Sequence, residues 1–280
     1  MLLQSKVVLV TGAAGGIGRA VALACCEQGA RVVVNDVGCD VGGDGHDAAA
    51  ASDVARELAS CGGEAVASDD DISTNEGAQR AVRCAIDTFG DLDAVVCAAG
   101  IGVNRTLLKT DEGDWDRVIQ VLLKGTFLTM RAAAQRMIEM DHPGRMVAMT
   151  GLGGYLGQFG LGAMAAAQGG LHGLVRTAAI EWQKHKITVN AVAPLAQTRM
   201  THELGLLEGF DNLTVRHVVP LVLMLCSDLC GERSGHVLSA AGPRMYALRF
   251  VESAGRFKEA DDGVFTPEQI DEAFQAITKV

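Results

Sequence analysis

The stretch Val7-Val8-Leu9-Val10-Thr11-Gly12-Ala13-Ala14-Gly15-Gly16-Ile17-Gly18 decides the fold of this chain. Its first four residues are apolar without polar alternation, which is typical of a strand buried on both faces. The glycines that follow allow a tight turn, and the residues from Gly18 to Gln28 have helical periodicity. The segment therefore predicts a strand, a glycine-rich turn and a helix in immediate succession.

The same alternation continues along most of the chain. Short apolar runs rich in β-forming residues recur at Val7–Val10, Arg31–Asn35, Ala65–Ser68, Ala94–Cys97, Met146–Met149, Thr188–Val192 and Val237–Ala240. Helical periodicity marks Gly18–Gln28, Asp47–Ser60, Thr74–Phe89, Asp111–Glu139, Ala163–Lys184 and Pro220–Cys230. This pattern predicts an α/β fold, a doubly wound parallel sheet of about seven strands with helices on both faces.

We expect residues 1–250 to form this single domain and residues 251–280 to form a C-terminal extension. In the extension, Thr266-Pro267-Glu268-Gln269 has the pattern of a capping box with proline at the first helical position. A terminal helix is therefore predicted to run to about Ile277.

Composition excludes several classes of function. The net charge of −10, without a lysine or arginine cluster, argues against a nucleic-acid partner. The eight cysteines lack zinc-ligand spacing and Gly38–Asp47 does not match an EF-hand loop, so no metal site is expected. No apolar run is long enough to span a bilayer, Met1–Lys6 lacks signal-peptide features, and Thr278–Val280 is not a peroxisomal Ser-Lys-Leu tail. We expect a soluble, cytoplasmic protein without a membrane partner.

The glycine-rich turn is a candidate nucleotide site because it follows a predicted strand and opens a predicted helix. Gly12 permits the tight turn, while Gly16 and Gly18 let the backbone approach a pyrophosphate at the helix N-terminus. Asp36 ends the second predicted strand, where its carboxylate can accept hydrogen bonds from ribose hydroxyls and would repel a 2′-phosphate. These residues favour NAD over NADP as cofactor.

With these motifs the chain resembles the short-chain dehydrogenase/reductase family over nearly its whole length, which implies a Rossmann-like fold. The resemblance implies cofactor contacts at Gly12, Gly16, Ile17, Gly18, Asp36, Asp70, Asp71, Ile72, Ala99, Gly100, Pro194 and Thr198. Asn35–Gly38 with its long following loop, the Pro220–Cys226 helix and the tail are more specifically similar to (3R)-hydroxyacyl-CoA dehydrogenase domains of multifunctional β-oxidation enzymes.

The chain departs from that family where the chemistry is performed. The family's Asn on the fourth helix, its Ser, its Tyr and its Lys correspond to Leu122, Gly151, Met164 and Gln168. Losing a general acid costs about 10²–10⁴ in rate, and losing an oxyanion donor about 10²–10³. The departures predict no ordinary dehydrogenase turnover and leave no confident catalytic residue, with Tyr155 as the one nearby phenol that could substitute.

Three hypotheses remain open. The first is a redox-inactive subunit that pairs with itself or with an active relative, through the 111–139 and 163–184 helices that the family uses for assembly. The second is a non-redox enzyme that uses the cleft in which the family binds its substrate. A loss of turnover in the variant Tyr155→Phe would support this hypothesis. The third is an NAD-dependent dehydrogenase that acts through substitute residues on an acyl-CoA-like substrate.

Overall fold

The computed structural model describes residues 1–210, 212–259 and 263–280. By its internal contacts the chain divides into two units, Met1–Ala247 and Leu248–Val280. Residues 260–262 of the expected 251–280 extension lie outside the described residues.

The first unit is built on a sheet of eight strands in the order β3-β2-β1-β4-β5-β6-β7-β8. The strands are β1 (Val7–Thr11), β2 (Arg31–Asn35), β3 (Glu64–Ser68), β4 (Ala94–Cys97), β5 (Gly144–Met149), β6 (Ile187–Leu195), β7 (Val237–Ala241) and β8 (Arg244–Leu248). Every pairing from β3 through β7 is parallel, so the predicted doubly wound parallel sheet is confirmed.

The prediction of about seven strands was one strand short. The eighth strand, β8, has a short apolar run at Met245–Leu248, but all of its residues are exposed or half-buried. All five residues of β1 are buried, as are all four of β4. A continuous apolar run predicts such buried strands most directly, whereas the short run of β8 was assigned to the segment that follows the predicted sheet.

Nine helices belong to the described part of this unit. They are α1 (Gly16–Glu27), α2 (Ala49–Ser60), α3 (Asn75–Phe89), α4 (Glu112–Val118), α5 (Thr126–Glu139), α6 (Gly153–Leu156), α7 (Gly162–Glu181), α8 (Arg199–Glu203) and α9 (Val219–Cys226). The short helices α6 and α8 were not predicted, because four or five residues are too few to establish a helical period.

Two predicted helices differ in detail. The predicted helix Asp111–Glu139 is instead α4 and α5 joined by a π-helical segment, Ile119–Gly125, because periodicity cannot distinguish one widened turn from an α-helical one. The predicted helix Pro220–Cys230 ends at Cys226, since Ser227 adopts an extended backbone and caps a separate short turn with its side chain.

In the second unit, α10 spans Pro267–Thr278 and begins at the predicted capping box. The Gln269 N–H donates to Thr266 Oγ1 at 3.3 Å, and the Thr266 N–H donates to Gln269 Oε1 at 3.1 Å. None of the residues of α10 is buried. Within the ranges that the structure describes, no helix combines the length and apolar character needed to cross a membrane.

The order of the strands fixes where a site can lie. Chain order reverses on either side of β1, which pairs with β2 on one edge and with β4 on the other. In open α/β sheets this switch point leaves a crevice at the carboxyl ends of the strands. The glycine-rich turn after β1 and the segment after β4 meet there.

Candidate nucleotide site and cleft

The glycine-rich turn is held by close backbone contacts. Gly12 has a φ of +66°, and a Cβ placed on it would lie 2.6 Å from the backbone of Ala99, just after β4. A Cβ on Gly18 would overlap the carbonyl oxygen of Gly12. The turn therefore lies directly against the end of β4, and helix α1 lies directly against the turn. Ile17, the remaining predicted contact in this motif, is half-buried against the main core.

The N-terminus of α1 is open toward the crevice. Its N-cap residue is Gly15, which supplies no side-chain hydrogen bond to the first helical N–H groups. Among the described residues other than its two chain neighbours, none has an atom within 4 Å of where a Cβ of Gly15 would be. Free N–H groups and the helix dipole make such a terminus suited to a phosphate group.

Asp36 stands immediately after β2 and faces this turn. The Ala14 N–H donates to its Oδ2 at 2.9 Å, and the Gly38 N–H donates to its Oδ1 at 2.8 Å. These bonds fix the carboxylate beside the glycine-rich turn. Each oxygen retains a lone pair that can accept a hydrogen bond from a ribose hydroxyl.

Asp70, Asp71 and Ile72, three of the predicted cofactor contacts, have different surroundings. Asp70 is paired with Arg80 and accepts the Ser68 hydroxyl at 2.9 Å, so its carboxylate is already engaged. Ile72 is buried against Gly125. Asp71 is exposed, and its Oδ1 accepts the Ser73 N–H at 2.9 Å. Of the three, Asp71 has the most accessible side chain.

Above the carboxyl ends of β4 and β5 the crevice is apolar. A Cβ on Gly100 would lie 3.0 Å from Leu122 Cδ2, and one on Gly102 would lie 2.6 Å from Met164 Sδ and 2.9 Å from Leu204 Cδ1. Leu122, Met164 and Leu204 are 8%, 7% and 5% exposed. We call Leu122, Met164 and Leu204, together with Met200, the cleft cluster.

Gln168 fills the space beside Gly151. A Cβ on Gly151 would lie 2.5 Å from Gln168 Nε2, and one on Gly153 would lie 2.8 Å from Gln168 Oε1. The structure thus brings together Gly151 and Gln168, and it places Leu122 and Met164 in the cleft cluster. A thioether, a leucine, a glycine and a neutral amide supply no general acid with a pKa near neutrality.

Tyr155 lies on α6 and packs against α7. Its ring centre is 4.1 Å from that of His172, and Arg176 Nη2 donates to its hydroxyl at 3.4 Å. Burial raises the pKa of the Tyr155 phenol, and the neighbouring Arg176 charge opposes this effect. These contacts hold Tyr155 beside His172 and Arg176, eight and twelve residues after Met164 on α7.

The surroundings of His172 could not be predicted from the sequence. It is 1% exposed, and its Nε2 lies 3.1 Å from the Thr150 hydroxyl. Burial lowers its pKa from 6.5 to about 4, with a smaller contribution from the Arg176 charge. Its Nδ1 has no hydrogen-bond partner among the described residues. The partner, Thr150, lies 22 positions away, and no local pattern indicates the contact.

Two further predicted cofactor contacts, Pro194 and Thr198, lie on β6 and at the start of α8. Pro194 lies within β6, opposite Ala240 of β7. Thr198 is the N-cap of α8, where the Thr201 N–H donates to its hydroxyl at 3.3 Å and its own N–H donates to Thr201 Oγ1 at 2.7 Å. Thr198 also lies next to the glycine-rich turn, because a Cβ on Gly16 would be 3.4 Å from its Cγ2.

One group of described residues has the composition of a cation site. Ligand atoms of Asp91, Asp93 and His142 lie within 4.8 Å of one another. Lys6 Nζ already lies 3.0 Å from Asp93 Oδ1, and the Val7 N–H donates to Asp93 Oδ2 at 2.8 Å. The lysine ammonium supplies the positive charge there, so we interpret the group as an ion-pair network at the start of β4.

Comparisons with known proteins agree with this geometry. The family model described as short chain dehydrogenase matches residues 6–207. Hydroxyacyl-CoA dehydrogenase ChsB1 of Mycobacterium tuberculosis is 35% identical over 96% of this chain and 87% of its own length. The mouse peroxisomal multifunctional enzyme type 2 is 39% identical over 98% of this chain, which spans only 37% of that enzyme. A short chain dehydrogenase from Mycobacterium avium has a TM-score of 0.87 at 35% identity, covering 99% of this chain and 96% of that chain.

The chain belongs to the short-chain dehydrogenase family, an oxidoreductase family whose members generally bind NAD or NADP. Within it, the chain is related to hydroxyacyl-CoA dehydrogenases.

Proposed function

We propose that this chain is a non-redox member of its family: it keeps an NAD-type nucleotide site but does not transfer hydride. The observation that carries the proposal is the cleft cluster, together with the Gln168 amide beside Gly151. A hydride transfer develops charge on a carbonyl oxygen, which must be protonated or bound by donors. Leu122, Gly151 and Met164 supply no such donor, and Gln168 supplies at most a neutral one.

The nucleotide half of the site supports binding. The open N-terminus of α1 suits a pyrophosphate, and the fixed Asp36 carboxylate suits an unphosphorylated ribose. Asp36 would repel a 2′-phosphate, which favours NAD over NADP. Gln168 offers a weaker contact to a second ribose than the Lys expected from the family pattern.

A redox-inactive subunit needs a partner, and we propose that α4–α5 and α7 provide the surface. Phe127 on α5 and Ile180 on α7 are large apolar residues with 40% and 76% exposure. The partner is a second copy of this chain or an active relative of the same fold. Native mass measurement after purification tests this, with Phe127→Asp expected to lower the mass of the assembly.

A second candidate function is a 3-hydroxyacyl-CoA dehydrogenase that uses substitute residues. The relation to hydroxyacyl-CoA dehydrogenase ChsB1 favours it, as does the presence of Tyr155 after β5. The contacts of Tyr155 with His172 and Arg176, and its raised pKa, weigh against its acting as an acid or base at neutral pH.

Single-turnover kinetics distinguishes the non-redox function from the dehydrogenase function. Protein in excess over a 3-hydroxyacyl-CoA is mixed with NAD, and the formation of NADH is followed by its absorbance. We expect a rate at least about 10⁴ below the 1–10³ s⁻¹ of ordinary enzymes, because both the general acid and the oxyanion donor are missing. A rate within the ordinary range would refute the proposal, and Tyr155→Phe would then show whether that phenol is the substitute.

A further inference from the structure

The two sides of the crevice differ in character, although a dinucleotide would have to use both. At a doubly wound switch point the pyrophosphate lies at the helix N-terminus, with one nucleoside on each side. On one side are the ends of β2 and β3, with Asp36 and Asp71. On the other side are the ends of β4 and β5, with the cleft cluster and Gln168.

The β2 side suits an adenosine diphosphate group. The N-terminus of α1 has no side-chain cap, and the space beside Gly15 is open. Asp36 is fixed by two backbone N–H groups next to the same turn, and Asp71 is exposed at the end of β3. This side therefore combines an anion site with an acceptor for ribose hydroxyls.

The β4 side does not suit a nicotinamide riboside. Leu122, Met164 and Leu204 are buried together above Gly100 and Gly102. A ribose and a carboxamide placed among them would lose water without gaining hydrogen-bond partners, which is unfavourable for every unpaired polar group.

Two polar side chains on this side, those of Gln168 and Thr198, have close neighbours within the protein. The Gln168 amide is packed against Gly151 and Gly153. The hydroxyl and the N–H of Thr198 are both engaged with Thr201 in the capping box of α8. Arg199, the first residue of α8, donates to the Cys39 carbonyl at 3.0 Å and so ties this helix to the loop after β2.

We infer that this site recognises its ligand through the adenosine diphosphate group alone, and that ADP-ribose and NAD are equivalent ligands. The inference deepens the proposed function and rests on it, because a site that gains nothing from the nicotinamide does not position it for hydride transfer. Such a site also binds NAD⁺ and NADH with equal affinity. Its occupancy therefore depends on the total concentration of these ligands and not on the ratio of NAD⁺ to NADH.

Calorimetric titration of the purified chain with ADP-ribose, NAD⁺ and NADH tests the inference directly. We expect the three dissociation constants to agree within about threefold. A constant for NAD⁺ or NADH at least tenfold lower than that for ADP-ribose would overturn the inference, since the nicotinamide would then contribute about 1.4 kcal/mol. The absence of binding by all three at millimolar concentration would overturn it as well.

Two variants of one residue identify the site of binding. Gly15→Glu places a negative charge at the open α1 terminus, and Gly15→Gln is its neutral match of nearly equal size. Because the surrounding space is open, both variants are expected to fold, which a thermal melt checks. Relative to Gly15→Gln, Gly15→Glu should weaken the binding of ADP-ribose and of NAD⁺ by the same factor, about tenfold or more, because its charge repels the phosphates. Equal affinities of the two variants would place the ligand elsewhere and overturn the inference.

The outcomes separate the inference from the proposed function. Hydride transfer at an ordinary rate refutes the proposed function, whatever the affinities are. A strong preference for NAD⁺ or NADH over ADP-ribose, without hydride transfer, refutes the inference alone.

Discussion

Acidification should destabilise this protein through one residue, His172. Its ring is buried between Thr150 and Tyr155, and Arg176 is the charged group facing it. Burial, and to a smaller degree the Arg176 charge, lowers its pKa from 6.5 to about 4. The folded protein therefore keeps His172 neutral over a range in which the unfolded chain binds a proton there.

The sign and size follow from linkage. Above pH 6.5 the residue is neutral in both states and carries no penalty. As the pH falls from 6.5 toward 4, the unfolded state alone gains a proton, so the free energy of unfolding decreases. The full decrease is roughly 3 kcal/mol, of which about 2 kcal/mol is reached at pH 5.

Urea denaturation at pH 8 and pH 5 measures this decrease, with His172→Gln as the control. Glutamine does not titrate, and its amide can replace the contact with the Thr150 hydroxyl. Other ionisable groups are the same in both proteins, so their effects cancel in the comparison. We expect the wild-type free energy of unfolding to fall by about 2 kcal/mol more than that of the variant. Both proteins are compared at one concentration, because assembly would shift the apparent stability.

An equal decrease in the two proteins would refute the reasoning, since it would mean that His172 is protonated as easily in the folded state as in the unfolded chain. Proton NMR gives an independent check. The ring signal of His172 should not titrate between pH 8 and pH 5, and a midpoint near 6.5 would contradict the buried neutral ring.

Two further predictions concern the glycines of the crevice. Gly12→Ala should lower the free energy of unfolding by at least about 2 kcal/mol, because its positive φ is strained for alanine and its Cβ would meet the Ala99 backbone. Gly15→Ala should lower the free energy of unfolding by less than about 1 kcal/mol, because alanine is only a poorer N-cap than glycine. Similar losses for Gly12→Ala and Gly15→Ala in thermal unfolding would contradict the packing described. Gly151→Ala should destabilise the wild type but not a Gln168→Ala background, with a coupling of about 0.5–1.5 kcal/mol in a double-mutant cycle. Additive effects of these last two substitutions would show that the Gln168 amide does not occupy the space beside Gly151.

Most of the fold could be predicted because buried parallel strands are continuous apolar runs. The runs at β1, β2 and β4 coincide with strands whose residues are nearly all buried, and the glycine-rich turn lies between β1 and α1 as expected. The strand β8 and the π-helical segment were missed for different reasons. The short apolar run of β8 is exposed or half-buried and follows the predicted sheet, whereas the π-helical segment keeps a helical pattern but has a wider turn.

The site could be predicted only in part, because its decisive contacts join residues distant in the chain. Sequence spacing assigned Gly151 and Gln168 to one site, but it could not show that the amide of one fills the space left by the other. It likewise identified Tyr155 as a candidate without showing that its ring lies on His172. Which distant residue a helical side chain meets depends on how the elements pack, and sequence spacing alone does not give it.

The packing of the cleft determines how well it tolerates single substitutions. Protein interiors are close-packed, so a space between side chains is either filled by a neighbour or left as a cavity. Here Gln168 fills the space beside Gly151, and Leu122 and Met164 fill the space above Gly100 and Gly102. A serine placed at 151 would compete with the Gln168 amide, and an asparagine placed at 122 would bury an amide among apolar side chains. The residues at 122, 151, 164 and 168 are thus matched to their neighbours. The α1 terminus and Asp36 depend on none of these contacts, so we expect substitutions in the cleft to leave the nucleotide side of the crevice unchanged.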